Sequence, residues 1–209
     1  SDMGGIYTLG NGPGNVLHHN LIWDVESFGY GGWGIYFDEG STGYVAENNI
    51  VHHVKSAGFH PHYGRENQVR NNIFALGRDS QLMRSRDESH ISFTLEHNIV
   101  YSAGAPILAS LWDGKNYVLD RNLYWDTTGR KTIFPGDRTL EAWQKETGHD
   151  LESRVADPLF VNPDAGDFTL RAGSAASQIG FKQIDLSSAG RLTPRRAARK
   201  TIAPGFSAL

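Results

Sequence analysis

The sequence predicts an all-β fold, a right-handed parallel β-helix of about five to seven coils with a short helix near its C-terminal end. An asparagine recurs at steps of 29, 23, 26 and 24 residues, and each one is followed by Leu or Ile. An apolar residue lies three positions before each asparagine. Periods of this length are typical of stacked repeats, none of which can bury its own core. The five asparagines are Asn20, Asn49, Asn72, Asn98 and Asn122.

The asparagines are expected at the turns of the coils. Asn tolerates left-handed backbone geometry, and its side-chain amide can bond to neighbouring groups. Stacked coils would bring successive amides to about 4.8 Å from one another, which lets them hydrogen-bond in a ladder. Asparagine-containing hairpins in an antiparallel sandwich are the alternative, but they do not require the same flanking pattern at every turn.

A second series of strand-like segments supports the coil interpretation. These segments begin about ten to twelve residues before the apolar residues that precede the asparagines, and they suit the short strands of a solenoid. Three short strands in a turn of about 25 residues are the pattern of a right-handed parallel β-helix. The segments are 5–8, 34–38, 58–62, 82–84 and 106–109.

The repeat changes after Trp125. Good helix formers follow an N-cap threonine, Thr139, and Leu140 and Trp143 share one helix face. We therefore predict a β-helix domain over residues 1–190, with a helical insertion at 136–150 and a closing coil at 155–181. Residues 191–209 are predicted to be a basic, loose tail. The first strand-like segment begins at residue 5. We therefore expect the open end of the first coil to be covered by further coils of a longer chain or by a partner such as a second copy.

Composition narrows the functional classes. A chain of 209 residues is one domain's worth and can bury a sizeable core. The net charge of −3 gives no general affinity for nucleic acid, and no apolar run is long enough for a transmembrane helix. The absence of cysteine excludes disulfides and thiolate metal sites. We predict no nucleic-acid partner, no membrane association and no cofactor.

Two runs carry a family resemblance, Gly32–Ser41 (GWGIYFDEGS) and Phe59–Asn67 (FHPHYGREN), together with the closing ADPLF and GDFTLRAGS segments. They resemble the right-handed parallel β-helix proteins of bacterial polysaccharide-degrading loci, across roughly residues 4–190. That group includes fucosidase- and xylanase-like glycoside hydrolases and polysaccharide lyases, and the chain looks like their C-terminal part. The group often has Gln where Pro61 stands. The resemblance implies a polysaccharide or oligosaccharide partner in an outward groove, and a secreted or periplasmic location.

Alignment of the strand-like segments brings polar side chains of adjacent coils together. If Ile35 lies over Phe59, Tyr36 aligns with His60 and Asp38 with His62, on an outward face. Adjacent coils are about 4.8 Å apart, so Asp38 and His62 become neighbours. The next coil is expected to add Arg84, Arg86, Asp87 and Glu88.

The first functional hypothesis is glycoside hydrolysis by paired carboxyl groups, one of which protonates the leaving oxygen. The predicted catalytic residues are Asp38, His60, His62, Asp87 and Glu88. Aromatic rings stack on sugar faces, and basic groups bind sugar oxygens. The predicted substrate-binding residues are Trp33, Tyr36, Arg84 and Arg86.

Three alternatives remain open from the sequence. Asp38, His60 and His62 form a possible two-histidine, one-carboxylate metal set. Arg84, Arg86 and His60 would suit β-elimination on an acidic polysaccharide, which needs a base and a cation. The third alternative is a carbohydrate-binding or structural segment of a larger enzyme, without catalysis of its own.

Overall fold

The chain forms a parallel β-solenoid of about five turns in this computed structural model, which describes residues 1–131, 133–187 and 189. The predicted parallel β-helix with a short C-terminal helix is confirmed. The predicted basic tail at 191–209 lies outside the described residues. Strands are numbered along the chain, and each coil contributes one strand to each of three parallel sheets.

The first sheet carries the segments in which the sequence predicts functional residues. Its strands pair in parallel, with Ile35 opposite Phe59 and Tyr36 opposite His60, as the alignment of the segments predicts. The strands are β1 (Gly4–Thr8), β4 (Trp33–Phe37), β8 (Phe59–Pro61), β12 (Leu82–Arg84) and β15 (Leu108–Ser110).

The second sheet lies before the asparagine turns, and the third sheet lies after them. A two-stranded parallel sheet, β5 (Ser41–Thr42) with β9 (Gly64–Arg65), joins the first and second sheets at one corner. The second sheet contains β2 (Val16–His18), β6 (Val45–Glu47), β10 (Asn67–Arg70), β13 (Phe93–Glu96) and β16 (Val118–Asp120). The third contains β3 (Leu21–Trp23), β7 (Ile50–His52), β11 (Ile73–Ala75), β14 (Ile99–Ser102), β17 (Leu123–Asp126) and β18 (Arg154–Val155).

Apolar columns fill the interior, because residues at the same position of successive coils stack on one another. The residue three before each ladder asparagine faces the core on the second sheet, and the residue two after it faces the core on the third. Each coil thus completes the apolar layer of the coil before it. The core columns include Ala46, Val69, Leu95 and Leu119, and Val51, Phe74, Val100 and Tyr124.

The asparagines form the predicted hydrogen-bonded ladder. The Nδ2 of Asn49 donates to the Oδ1 of Asn72 at 2.9 Å, and Asn72 donates in the same way to Asn98 at 2.9 Å. Each Oδ1 also accepts the backbone N–H of the preceding asparagine, as Asn72 does from Asn49 at 3.0 Å. The ladder runs from Asn20 to Asn122, whose own N–H donates to Ser153 Oγ at 2.8 Å. These bonds satisfy backbone groups at the turns that would otherwise be buried and unpaired.

The left-handed backbone geometry lies one residue earlier than the sequence suggests. The ladder asparagines do not have positive φ; the residue before each of them does. The left-handed backbone and the ladder amide therefore belong to two successive residues of each turn. The left-handed residues are His19, Asn48, Asn71, His97 and Arg121, with φ between 50° and 57°.

The C-terminal end of the core is covered by helix α1 (Leu140–Thr147). Its buried Trp143 stacks on Phe134, and the indole Nε1 donates to the carboxylate of Asp150 at 3.0 Å. Asp150 also accepts the hydroxyls of Tyr124 at 2.9 Å and Ser153 at 2.6 Å. Burial nevertheless raises the pKa of Asp150 above its usual value, because the hydrogen bonds only partly offset the loss of water.

The segment predicted as a closing coil takes a different form. After β18, strands β19 (Phe160–Asn162) and β20 (Asp167–Leu170) pair antiparallel instead of joining the three sheets. The chain then runs back along the outer face of the third sheet, where Lys182 exchanges two hydrogen bonds with Asn71, at 2.7 and 3.0 Å. Apolar residues that follow the ladder asparagines, such as Ile73 and Ile99, are buried beneath it. We call residues 156–187 the strap.

No helix in the described part of the chain is both long and apolar enough to span a membrane.

The ladder predicts that removing an asparagine side chain lowers the free energy of unfolding by an amount that depends on its position in the ladder. We expect Asn72→Ala to lower the free energy of unfolding by about 3 kcal/mol, because it leaves the buried N–H of Asn49 and the carbonyl of Ala46 unpaired. The same substitution at Asn20, which is partly exposed on the first coil, should cost about 1 kcal/mol or less. Urea unfolding of both variants measures the difference, and equal losses would contradict a structural ladder.

Candidate functional site

Asp38 lies on the outer face of the first sheet, immediately after β4. Its backbone N–H donates to the carbonyl of Thr8 at 3.0 Å, which holds the residue against the first coil. Its carboxylate Oδ2 accepts the hydroxyl of Tyr7 at 2.5 Å. Asp38 is only 7% exposed. A carboxylate with so little contact with water depends on chain donors to stay charged.

Those donors keep Asp38 ionised. Burial acts to raise the pKa of Asp38, but the hydrogen bond from Tyr7, the nearby hydroxyl of Tyr36, the N–H of Glu39 and the nearby His62 lower it more. The hydroxyl of Tyr36 itself donates to Asp2 Oδ1 at 3.3 Å. The net pKa lies below the usual value of an aspartate. In turn, the hydrogen bond to Asp38, with burial and the charge of Asp38, raises the pKa of Tyr7 to about 12. At neutral pH the pair is therefore a carboxylate and a neutral phenol, which suits a base or nucleophile better than a proton donor.

Two histidines and a serine continue this site on the following coils. The ring of His60 stacks on the ring of Tyr36, with centroids 4.8 Å apart. The Oγ of Ser85 lies 2.8 Å from His60 Nε2 and 2.7 Å from His62 Nδ1. Burial, and then the nearby His62, lower the pKa of His60 to about 3 against a smaller opposing effect of Asp38, so His60 is neutral at physiological pH.

Ser85 is a site residue that the sequence reasoning missed. Leu82 pairs with Phe59, so the residue after β12 falls over the residue after β8. Asp38, His62 and Ser85 therefore each follow a strand of the first sheet directly, in one column on three successive coils. Continuing the register by one more coil would have found Ser85.

The aromatic residues predicted to stack on sugars are covered. Trp33 is 0% exposed and packs against Tyr36 and His60, with ring centroids 4.4 and 4.5 Å away. Tyr36 is almost as buried. Their rings pack beneath the site, and neither ring has an exposed face on which a sugar could stack. Tyr7, which donates to Asp38, is 46% exposed, and Tyr30, which contacts Trp33, is 57% exposed.

Tyr30 reaches the site from the glycine-rich loop before β4. Its ring meets Trp33 edge-on, with centroids 4.9 Å apart. Burial, followed by the charges of Asp2 and Asp38, raises the pKa of Tyr30. No role was predicted for this tyrosine from the sequence.

Arg84 lies inside the solenoid, contrary to the predicted sugar-binding role. It is 1% exposed, and its guanidinium lies 4.7 Å from the ring centre of Tyr117. Nη1 donates to the carbonyl of Leu111 at 2.7 Å, and Nη2 donates to Asp87 Oδ1 at 2.5 Å. The β8–β12 register turns this position inward, because it falls in the same column as the inward-facing Phe37. Arg84 therefore contributes to packing and not to an open groove.

The remaining predicted residues lie at the edge of the site. Arg86 is exposed, with its guanidinium 5.4 Å from the ring centre of Tyr63. Glu88 accepts the N–H of Gly64 at 2.9 Å and lies 3.3 Å from His90 Nε2. Across the described residues, none of the hydrogen bonds or ion pairs of Asp87 or Glu88 joins them to Asp38.

The alternative metal set is not formed. In residues 1–131, 133–187 and 189, no three or more His, Asp or Glu side chains are grouped so that they could hold a metal ion. His60 and His62 both turn a nitrogen to Ser85, and Asp38 turns to Tyr7, so the three side chains have no common centre.

Comparisons of the chain with family models, with curated proteins and with solved structures returned no match.

The buried histidine makes stability pH-dependent. His60 has a pKa of about 3 when folded and gains its ordinary pKa, about 6.5, when unfolded. The unfolded chain therefore takes up a proton that the folded chain does not, so stability present above pH 6.5 is lost as the pH falls toward 3. We expect His60 to contribute about 2 kcal/mol to the loss between pH 7 and 5.

Urea unfolding of the wild type and of His60→Gln at both pH values measures this contribution as the difference between their two losses. Identical losses would contradict this prediction, because they would show that His60 takes up a proton over the same pH range in the folded protein as in the unfolded chain.

Proposed function

We propose that this chain is a carbohydrate-active β-helix protein that hydrolyses a polysaccharide on the outer face of its first sheet. The observation that carries this proposal is the ionised Asp38, buried beside His62 and held by Tyr7 at 2.5 Å. Asp38 keeps its negative charge although it is buried and has no salt-bridge partner among the described residues. Such a buried, unpaired charge is typical of a functional group.

The shape of the face supports an extended ligand. Asp38, His62 and Ser85 lie on successive coils, so a chain of sugars lying across the coils would meet them one after another. Tyr7, which donates to Asp38, and Tyr30, which packs against Trp33, have exposed rings that can stack on the apolar faces of sugars. The sequence resemblance to polysaccharide-degrading β-helix proteins points to the same class of ligand.

The proposed division of labour differs from a pair of carboxyl groups. Asp38 serves as the base that activates water, or as the nucleophile, because its carboxylate stays ionised. His62 donates a hydrogen bond from a ring N–H to the leaving oxygen. The proton released by the attacking water passes through Asp38 to solvent, and the leaving oxygen takes up one proton from solvent. Asp87 and Glu88 instead stabilise this corner of the solenoid, because Asp87 accepts a hydrogen bond from Arg84 and Glu88 accepts one from the N–H of Gly64.

Substitution of Asp38 tests this proposal. Asp38→Asn keeps the shape and one oxygen for Tyr7 but removes the charge, so we expect kcat to fall by at least about 100-fold with little change in Tm. Glu39→Gln is the matched control, because it removes an exposed carboxylate one residue away and should leave kcat unchanged. Release of reducing ends from a panel of plant and algal polysaccharides measures both.

The products separate hydrolysis from the other reactions. A product with an unsaturated, ultraviolet-absorbing sugar would indicate β-elimination. Retardation in affinity gels without release of any product would indicate a binding module. Either result, or full activity in Asp38→Asn, would contradict the proposal.

The hydrogen bond from Tyr7 predicts a shift in the pH profile. Tyr7→Phe removes the donor and leaves Asp38 buried, so the pKa of Asp38 should rise. Activity requires the ionised form, so it is lost as the pH falls through this pKa, and the acidic limb of kcat/KM should move up by on the order of one pH unit. Tyr101→Phe, on the outer face of the third sheet, is the control. An unmoved limb in Tyr7→Phe would show that Asp38 does not set it.

A further inference from the structure

Ser85 lies between two imidazoles that face it from the preceding coil. Its Oγ is 2.8 Å from His60 Nε2 and 2.7 Å from His62 Nδ1. A serine hydroxyl has one hydrogen to donate and two lone pairs with which to accept. It can therefore donate to only one of the two rings, and the position of each ring proton depends on which ring that is.

The surroundings of His60 decide where its proton lies. His60 is fully buried, and its Nδ1 has no hydrogen-bond partner among the residues that the structure describes. Trp33, whose ring centroid is 4.5 Å away, has a buried Nε1–H that also lacks a partner within the described part of the chain. A proton on His60 Nδ1 would place a second unpaired N–H in this cluster, and buried unpaired N–H groups are rare. The neutral ring therefore carries its proton on Nε2 and donates to Ser85.

The hydroxyl hydrogen of Ser85 then has one hydrogen-bond acceptor among the described residues. Its oxygen accepts from His60, and the other neighbour within hydrogen-bond distance among the described residues is His62 Nδ1. If His62 also donated to Ser85, the hydroxyl hydrogen would have no acceptor in this network. The arrangement in which every hydrogen is used runs in one direction, from His60 through Ser85 to His62.

We propose that Ser85 is a positioning residue that holds neutral His62 in the tautomer with its proton on Nε2. Nδ1 is then occupied as an acceptor, and Nε2–H is the ring donor that remains for a ligand oxygen. This functional consequence rests on the proposed hydrolysis, in which His62 donates to the leaving oxygen. The tautomer itself does not depend on any substrate.

Nitrogen-15 NMR of the full chain reads the tautomers directly. Two-bond proton–nitrogen correlations at pH 8 distinguish a protonated from an unprotonated ring nitrogen, and His62→Gln identifies the His62 signals by their loss. We expect protonated Nε2 and unprotonated Nδ1 for both His60 and His62. In Ser85→Ala the His62 tautomers should mix, with their population ratio falling about tenfold, whereas Ser85→Thr keeps a hydroxyl and should restore the wild-type spectrum.

Ser89→Ala is the matched control, because Ser89 is exposed in the same segment and makes no side-chain hydrogen bond among the described residues. A wild-type His62 with its proton on Nδ1 would overturn the inference, and so would a His62 spectrum unaltered by Ser85→Ala. The wild-type measurement decides even if the alanine variant does not fold. A correct tautomer without hydrolysis would contradict the proposed function alone, and hydrolysis with the other tautomer would contradict this inference alone.

Discussion

The hydrogen bonds of the asparagine ladder are the constraint on which the other features of the solenoid depend. Each amide joins its own coil to the next, and each also satisfies backbone groups that the turn buries, as Asn72 does for Asn49 and Ala46. A slip of one residue would leave these groups unpaired, at about 1–3 kcal/mol for each, and would exchange the inward and outward faces of every strand. The ladder therefore fixes the register of all three sheets together.

A fixed register places the equivalent residues of successive coils in columns. These columns form both the core and the candidate site. Residues that are about 25 positions apart in the sequence become neighbours in adjacent coils, so a favourable side chain can be repeated or varied coil by coil. Inside, the repetition gives continuous apolar contact. Outside, the variation places Asp38, His62 and Ser85 next to one another, although no two of them are close in the sequence.

The three outer faces are used in different ways. The strap buries the outer face of the third sheet, where Ile73 and Ile99 lie. The second sheet carries exposed ion pairs such as Arg70 with Glu47, at 2.8 Å, which are solvated and contribute little to stability. The first sheet combines buried rings, an ionised carboxylate and imidazoles with exposed tyrosines at the rim. Burial of polar groups costs free energy unless they are paired, so this face is the one where a function best explains the arrangement.

The sequence by itself determined the stacked fold, the ladder and the pairing of Tyr36 with His60, because all three follow from a repeat that recurs in every coil. It did not determine where the left-handed residue lies in the turn, how the strap folds back, or that Trp33 and Tyr36 are covered. Those features depend on contacts between residues far apart in the chain. Periodicity predicts which residues share a column, and only the packed structure shows which of them other segments cover.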